Sequence, residues 1–442
     1  MDDVMLANHI VVARNADDSL NLLAHLDRDT KEFIIPGCDD LRTKKGEKIT
    51  LKPEWNEYVQ PKDLEGYTLH ISEGFDIIAD NAFEGCNLTG ELKIPMSVQK
   101  IGKKAFSEND LTSLEFKVPV SKIAENGQSI VRNLNGDQVI NSNLRIIDDY
   151  AFAYNNNLSG DLYIPEGLNL LGKAAFCSTY KNSASTLSLP STLEKIGAGA
   201  FYDCSGFDGT LNIPSSVTSI GDYAFRDCSG FTGNLVIPNS VTTIGSGAFE
   251  DCFKFNGTLT LSNSLTEIPK RAFSGCLELT GDLVIPDNVT KIGEFAFYNC
   301  SGLTGDLVIP DNVTEIGLGA FLNCSGFTGE LKLPDRIKEI PDSCFEGCIN
   351  IVGNLAIPDG VEMIGCHAFY GCNEITGIFL PATLKDLGDN AITCCKKLEF
   401  LYRSENTNMH NNTLKGVETH IENAMQDLTQ DVIASFESLT DI

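Results

Sequence analysis

Positive charge is scarce in this chain of 442 residues. It carries 33 Lys and Arg against 61 Asp and Glu, a formal net charge of −28. Such a surface repels nucleic-acid phosphates and anionic lipid, which removes nucleic acid as a partner class. The acidity itself keeps a long, open surface soluble. Long hydrophobic runs are missing as well. No stretch of about 18 apolar residues exists, so no membrane insertion is expected. The opening, MDDVMLANHIVVARNADDSL, has no basic n-region followed by an apolar h-region. It reads as a cytoplasmic chain with reduced thiols, the alternative being an exported or surface location reached by a signal-independent route. Histidine is sparse, with 6 residues, none at metalloprotease or zinc-finger spacing. Phosphate loops, nucleotide fingerprints and nucleophile elbows are absent too. The expectation is no catalytic residue, no cofactor and no enzyme.

What the chain does have is repetition. GDLVIPDNVTKIGEFAFYNCSGLT runs from Gly281 to Thr304 and begins again at Gly305 almost unchanged. Phenylalanine marks the period at Phe83, Phe106, Phe152, Phe176, Phe201, Phe225, Phe249, Phe273, Phe297, Phe321, Phe345 and Phe369, every step from Phe201 onward being 24 residues. A worn further unit has Ile392 in that place. Self-similarity at this period marks a leucine-rich solenoid. Within one unit, Leu283 and Ile285 flank Val284, a short strand with two residues in and one out. Pro286 ends it, because proline cannot donate to a sheet ladder. Val289 and Ile292 form a second apolar pair. Gly293 makes a corner that other units fill with Pro269 or Pro341, Ala296 and Phe297 go inward, and Ser301-Gly302 turns toward the next unit. One unit cannot bury its own faces, so stability has to come from stacking. The expected fold is an α/β-type repeat solenoid of mostly short parallel β-strands and turns, with about 13 coils.

Cysteine recurs at one place in the coil: Cys86, Cys204, Cys228, Cys252, Cys276, Cys300, Cys324, Cys348, Cys372 and Cys395. Units lacking it carry Asn109, Asn155 or Thr179 there. These three residue types share modest size and a hydrogen-bonding group. That pattern fits an inward polar ladder tying down loop backbone, most regularly from Cys204 to Cys372, rather than metal or disulfide chemistry. Cys344, Cys366 and His367 lie close to Cys348 and Cys372 in sequence. Removing the ladder positions and Cys344, which replaces the alanine before Phe345, leaves too few ligands for a structural zinc.

LVIPDNVTKIGEFAFYNC and LNIPSSVTSIGDYAFRDC resemble the BspA-like, or Treponema pallidum-type, leucine-rich repeats from about Tyr67 to Tyr402. The resemblance implies a solenoid without shared catalytic residues, in a family of mostly surface or secreted proteins that bind other proteins or extracellular matrix. The function expected is a non-enzymatic protein-interaction scaffold using the outward face of the parallel sheet. The alternative is a surface or exported adhesion or virulence factor that binds host or matrix protein.

The outward position of the first strand reads Tyr163, Ser188, Asn212, Val236, Thr260, Val284, Val308, Lys332 and Ala356. Tyr163, Asn212, Val236, Thr260, Val284, Val308 and Lys332 are the candidate partner contacts. The other reading is that valine and threonine simply suit a sheet. A second outward column, Thr218, Thr242, Thr266, Thr290 and Thr314, has the regularity of an ice-binding face. The charged residues that follow it, Glu267, Lys291 and Glu315, would disturb an ordered water lattice. Asn-x-Thr triplets such as Asn288-Val289-Thr290 follow from the repeat itself.

The repeat breaks in three places. Residues 1–66 lack it and read as an N-terminal cap or small separate domain, with a strand in HIVVAR, a helix over Ala16 to Arg28, and a solenoid-like strand at Phe33-Ile34-Ile35. An insertion at about 120–142 contains SIVRNLNGDQVI, where Asn135-Gly136 reads as a two-residue hairpin turn. Arg132 and Asn133 on it are further candidate contacts. In the tail, 403–442, the residues Leu414, Val417, Ile421, Met425, Leu428, Val432, Phe436 and Leu439 form one apolar stripe on a helix. That amphipathic helix either packs on the solenoid, giving a monomer, or forms a dimer. Its acidic face, with Glu418, Glu422, Asp427 and Asp431, does not suit a membrane.

Overall fold

A computed structural model describes residues 10–14, 20–27, 29–35, 50–51, 61–117, 143–402 and 408–409. They divide into two compact units, Met1–Asn256 and Gly257–Ile442. Arg132, Asn133 and the hairpin expected around them lie outside the described residues, as does the amphipathic stripe from Leu414 to Leu439.

Each coil spends its residues on two very short strands joined by turns. In the first unit the second strand of every coil joins an eight-stranded parallel sheet. Its strands are Thr50–Leu51, Ile77–Ile78, Lys100–Ile101, Ile146–Ile147, Leu170–Leu171, Lys195–Ile196, Ser219–Ile220 and Thr243–Ile244. Equivalent residues sit opposite one another, as in Ile146 between Lys100 and Leu170. The second residue of each pair is buried, while from Ile77 onward the first is half-buried or exposed. In the second unit the same column forms one sheet of Glu267–Ile268, Lys291–Ile292 and Glu315–Ile316. Another contains Glu339–Ile340, Met363–Ile364, Asp386–Leu387 and Asn408–Met409.

The α/β-type expectation is corrected to a parallel β-solenoid. No α-helix occurs among the described residues, and Pro61–Leu64 is a single 3-10 turn. The reason lies in where the Ala-Phe segment sends its backbone hydrogens. Phe297 N–H donates to the Ala320 carbonyl of the next coil at 2.8 Å, and Phe201 does the same to Ala224 at 2.8 Å. These donors are committed between coils, so no run of i→i−4 bonds forms.

The helix expected over Ala16 to Arg28 is also corrected. Leu20–Asp27 is a strand, antiparallel to Ile10–Arg14 on one side and to Glu32–Ile35 on the other. Leu20, Leu22, Ala24 and Leu26 fall at every second position, and two flanking strands satisfy the backbone that a helix would otherwise have paired internally. Glu32–Ile35 then runs parallel to Thr68–Ile71, with Phe33 opposite Leu69 and Ile35 opposite Ile71.

The core is a column of phenylalanines. In the first unit Phe83, Phe106, Phe152, Phe176, Phe201, Phe225 and Phe249 stack with successive ring centroids 5.4, 5.5, 5.1, 5.6, 5.4 and 5.4 Å apart. Phe106 meets Phe152 directly, so the intervening residues leave the stack unbroken. In the second unit Phe273, Phe297, Phe321, Phe345 and Phe369 repeat it at 5.6, 5.4, 5.6 and 5.4 Å. A second aromatic column, Tyr180, Phe207, Phe231 and Phe255, stands beside the first.

Two glycines show how tightly the coils stack. At Gly293 an added Cβ would lie 2.4 Å from the Lys270 backbone nitrogen of the preceding coil, so the corner needs a small residue for space. Gly305 instead has φ +76°, and its Cβ would lie 2.3 Å from Asp282 Oδ1. Gly305→Ala is expected to cost about 1–2 kcal/mol, because alanine disfavours the left-handed region and displaces that carboxylate. Chemical denaturation of the full chain checks this, and an unchanged midpoint would contradict the left-handed turn.

Candidate partner-binding strip

The strip is built by the strand that opens each coil. Alternation sends Leu307 and Ile309 into the core and leaves Val308 outside between them. In the first unit Tyr163 is half-buried on Leu162–Tyr163, paired with Leu187–Ser188. Asn212 is exposed and lies in no strand, and Val236 is exposed on Leu235–Val236. In the second unit Thr260, Val284, Val308 and Lys332 are all exposed. Val284, at 70 %, is the most exposed large apolar side chain among the described residues, and Val308 stands at 45 %. Leu307 and Val308 pair in register with Leu331 and Lys332.

Sequence reasoning placed the continuous sheet on this first strand. The structure puts the longest ladder on the second, while the first-strand column is a parallel sheet only through Glu32–Ile35, Thr68–Ile71, Thr89–Ile94 and Asp110–Phe116 and again through Gly353–Ala356, Ile375–Phe379 and Phe400–Tyr402, with short pairs and bridges between. The long ladder presents a largely polar face that satisfies itself, as where Lys291 Nζ meets Glu315 Oε1 at 2.7 Å. The valines of the first strand have no such partner.

Aspartates rim the two valines. Asp282 leans over Gly305, and Asp306 over Gly329, where its Oδ1 also accepts from the Glu330 N–H at 2.8 Å. Asp287 and Asp311 are exposed on the other side, and Asn312 Nδ2 donates to the Asp287 carbonyl at 2.9 Å.

The threonine column is explained by internal bonding. Thr242 Oγ1 donates to the Thr218 carbonyl at 3.3 Å, Thr290 to Thr266 at 3.2 Å and Thr314 to Thr290 at 3.3 Å. The hydroxyls serve coil-to-coil contacts rather than an ordered water layer.

Beneath the strip, the cysteine column meets the phenylalanine column. Cys204 Sγ donates to the carbonyl of Phe176 at 3.0 Å, Cys228 to Phe201 at 2.9 Å and Cys252 to Phe225 at 3.0 Å. In the second unit Cys300 donates to Phe273 at 3.1 Å, Cys324 to Phe297 at 2.9 Å, Cys348 to Phe321 at 3.2 Å and Cys372 to Phe345 at 3.3 Å. Cys276 is buried with them. The acceptor is always one coil back, which sequence spacing alone did not identify. Asparagine does the same with a longer reach: Asn155 Nδ2 donates to Phe106 O at 2.9 Å and to Phe152 O at 2.8 Å. Burial pushes Cys204, Cys300 and Cys348 up to about 12 and raises Cys228, Cys324 and Cys372 as well. A protonated thiol is a donor, while a nucleophile or metal ligand has to be a thiolate. Cys344 is buried beside this column, and His367 faces Asn390 and the Tyr370 ring.

The family model of the BspA-type leucine-rich repeat region, which spans six copies of the repeat, matches residues 65–182, 178–304 and 303–421. Among solved structures, one similar chain is a leucine-rich cell surface protein from Faecalibacterium prausnitzii. It is 22% identical, with 92% of this chain and 96% of that chain covered and a TM-score of 0.41. A leucine-rich repeat protein from Bacteroides ovatus is 20% identical, with 92% and 99% covered and a TM-score of 0.49. The leucine-rich repeat protein of T. pallidum is 27% identical over 49% of this chain and 78% of that one, with a TM-score of 0.29. No curated protein matches significantly.

Proposed function

This chain belongs to the BspA-type leucine-rich repeat family, and we propose that it is a non-enzymatic scaffold holding a protein partner on the first-strand strip. The observation that carries this reading is the exposure of Val284 and Val308 at the same place in two adjacent coils. Apolar side chains exposed at equivalent places in adjacent coils, over a densely stacked core, suit a docking surface. The buried residues of the coil are consumed by packing and by the thiol ladder, which leaves the outer face as the part free to recognise something. In the same reading the antiparallel strands before Thr68 cap the first coil, since an uncovered strand edge invites unwanted pairing.

Val284→Glu with Val308→Glu is expected to reduce capture of the native partner at least tenfold while the circular dichroism spectrum and melting curve stay unchanged. Affinity purification from native extract followed by mass spectrometry measures it, and undiminished capture by a folded variant removes the strip. No described helix is long and apolar enough to cross a membrane. A cytoplasmic scaffold and an exported adhesion factor would use the same surface and differ in place. External protease treatment of intact cells separates them.

A further inference from the structure

The second unit surrounds its exposed valines with uncompensated acid, and this narrows what they can hold. Asp282 stands two residues before Val284 and Asp287 three after it; Asp306 and Asp311 repeat the arrangement around Val308. All four carboxylates lie in exposed residues. The bases of the adjoining coils are committed elsewhere: Lys270 pairs with Glu294, Lys291 with Glu315, and Arg271 lies over the Phe295 ring at 5.2 Å. Lys332, Arg336 and Lys338 enter only in the following coil, where Glu330, Asp335 and Glu339 accompany them.

Two of the carboxylates rest against the next coil, and that of Asp306 accepts from the Glu330 N–H at 2.8 Å. A Cβ at Gly305 would strike Asp282 Oδ1, and one at Gly329 would lie 1.9 Å from Asp306 Oδ1. The glycines therefore leave room for Asp282 and Asp306 to rest against the next coil. Successive copies are separated by one coil, about 4.8 Å. The result is an exposed valine with one aspartate two residues before it and another three residues after it, repeated in two adjacent coils.

From this we infer that the strip binds a cationic, extended protein segment whose β-branched or aliphatic side chains cover Val284 and Val308 while lysine or arginine reaches the flanking carboxylates. The inference rests on the strip being the partner-binding surface and adds the chemical class of the partner. Charge complementarity selects that class: an acidic or neutral apolar segment would bury the valines but leave like charges opposed or carboxylates unpaired.

The test uses the full chain and two labelled peptides. One repeats Lys-Thr-Val-Thr, which puts lysine and valine on one face of a strand, and the other has glutamate in place of lysine. Fluorescence anisotropy is measured at about 0.05 M and about 0.5 M salt, the second shortening the screening length severalfold. The lysine peptide is expected to bind at low salt and to weaken at least tenfold at high salt, while the glutamate peptide does not bind. Asp282→Asn, Asp287→Asn, Asp306→Asn and Asp311→Asn together keep the side-chain shapes and the Oδ1 acceptors, and should weaken binding at least tenfold. A control changes the same net charge elsewhere, through Asp63→Asn, Glu65→Gln, Glu108→Gln and Glu278→Gln, and should leave binding within twofold. Equal weakening by the control would show general attraction to an acidic protein and overturn the inference. So would no binding of the lysine peptide, or equal binding of the glutamate peptide. If Val284→Glu with Val308→Glu abolishes native partner capture while the four asparagines leave it intact, the strip stands and the cationic class falls.

Discussion

Replacing Phe297 by alanine is expected to destabilise the second unit by about 3–5 kcal/mol, the cost of emptying a fully buried aromatic site. Phe297 has 0% exposure and stacks between Phe273 at 5.6 Å and Phe321 at 5.4 Å, so the cavity opens onto both neighbouring coils. The surrounding backbone cannot collapse into it, because Phe297 N–H is anchored to Ala320 and its carbonyl accepts from Cys324. Phe297→Leu should cost less, since an aliphatic side chain fills most of the volume, as Ile392 does in its own coil. Denaturant unfolding followed by circular dichroism measures both. An alanine variant within about 1 kcal/mol of the parent would mean that neighbouring coils do not share one core.

The second large effect is alkaline unfolding. Cys300 and Cys348 are held near 12 in the folded chain against an ordinary thiol value of 9.0, with Cys324, Cys344 and Cys372 raised by the same burial. The folded state therefore holds these protons more tightly than the unfolded state. Their contribution is complete below about pH 9 and is lost as pH rises toward about 12. Each such thiol contributes on the order of a few kcal/mol, lost progressively across that window, so cooperative unfolding is expected between about pH 9 and about pH 12. Exposed Lys–Glu pairs lose their charge in a similar range but are individually worth little. Thiolate absorbance and circular dichroism recorded together should change in one cooperative step. Thiolate appearing near pH 9 with the fold intact would show that the ladder is accessible to solvent.

The two experiments probe the same seam from opposite sides. The phenylalanine ring supplies dispersion and apolar burial, and its carbonyl gives the cysteine one coil on somewhere to donate. A cysteine suits that position because the sulfur is small, apolar enough to bury and still carries one hydrogen. Asn155 satisfies two carbonyls there and leaves its own Oδ1 without a protein partner, which illustrates the cost of a more polar filler in the same space.

Much of the coil was legible in the residues because its cues are local. Alternation around Val284 identifies two inward side chains, and exchange of cysteine with asparagine and threonine identifies an inward polar place, whereas the strand expected at Leu283–Ile285 is irregular and its coil pairs only at Gly281–Asp282. Other features depended on partners far away in the chain. Leu20–Asp27 looked helical from its composition, yet it is a strand because Ile10–Arg14 and Glu32–Ile35 lie on either side of it. The Ala-Phe segment has residues that tolerate a helix, yet its N–H groups go to the next coil.

The order of residues alone determined the period, the inward-facing set and the family, since each follows from side-chain patterning that recurs every coil. Only the tertiary structure decided which strand column zips into a continuous sheet, which carbonyl each thiol reaches, and that aspartates come to flank bare valines in adjacent coils. Those outcomes are set by hydrogen bonds and contacts between residues one full turn apart, whose geometry exists only once the coils are stacked.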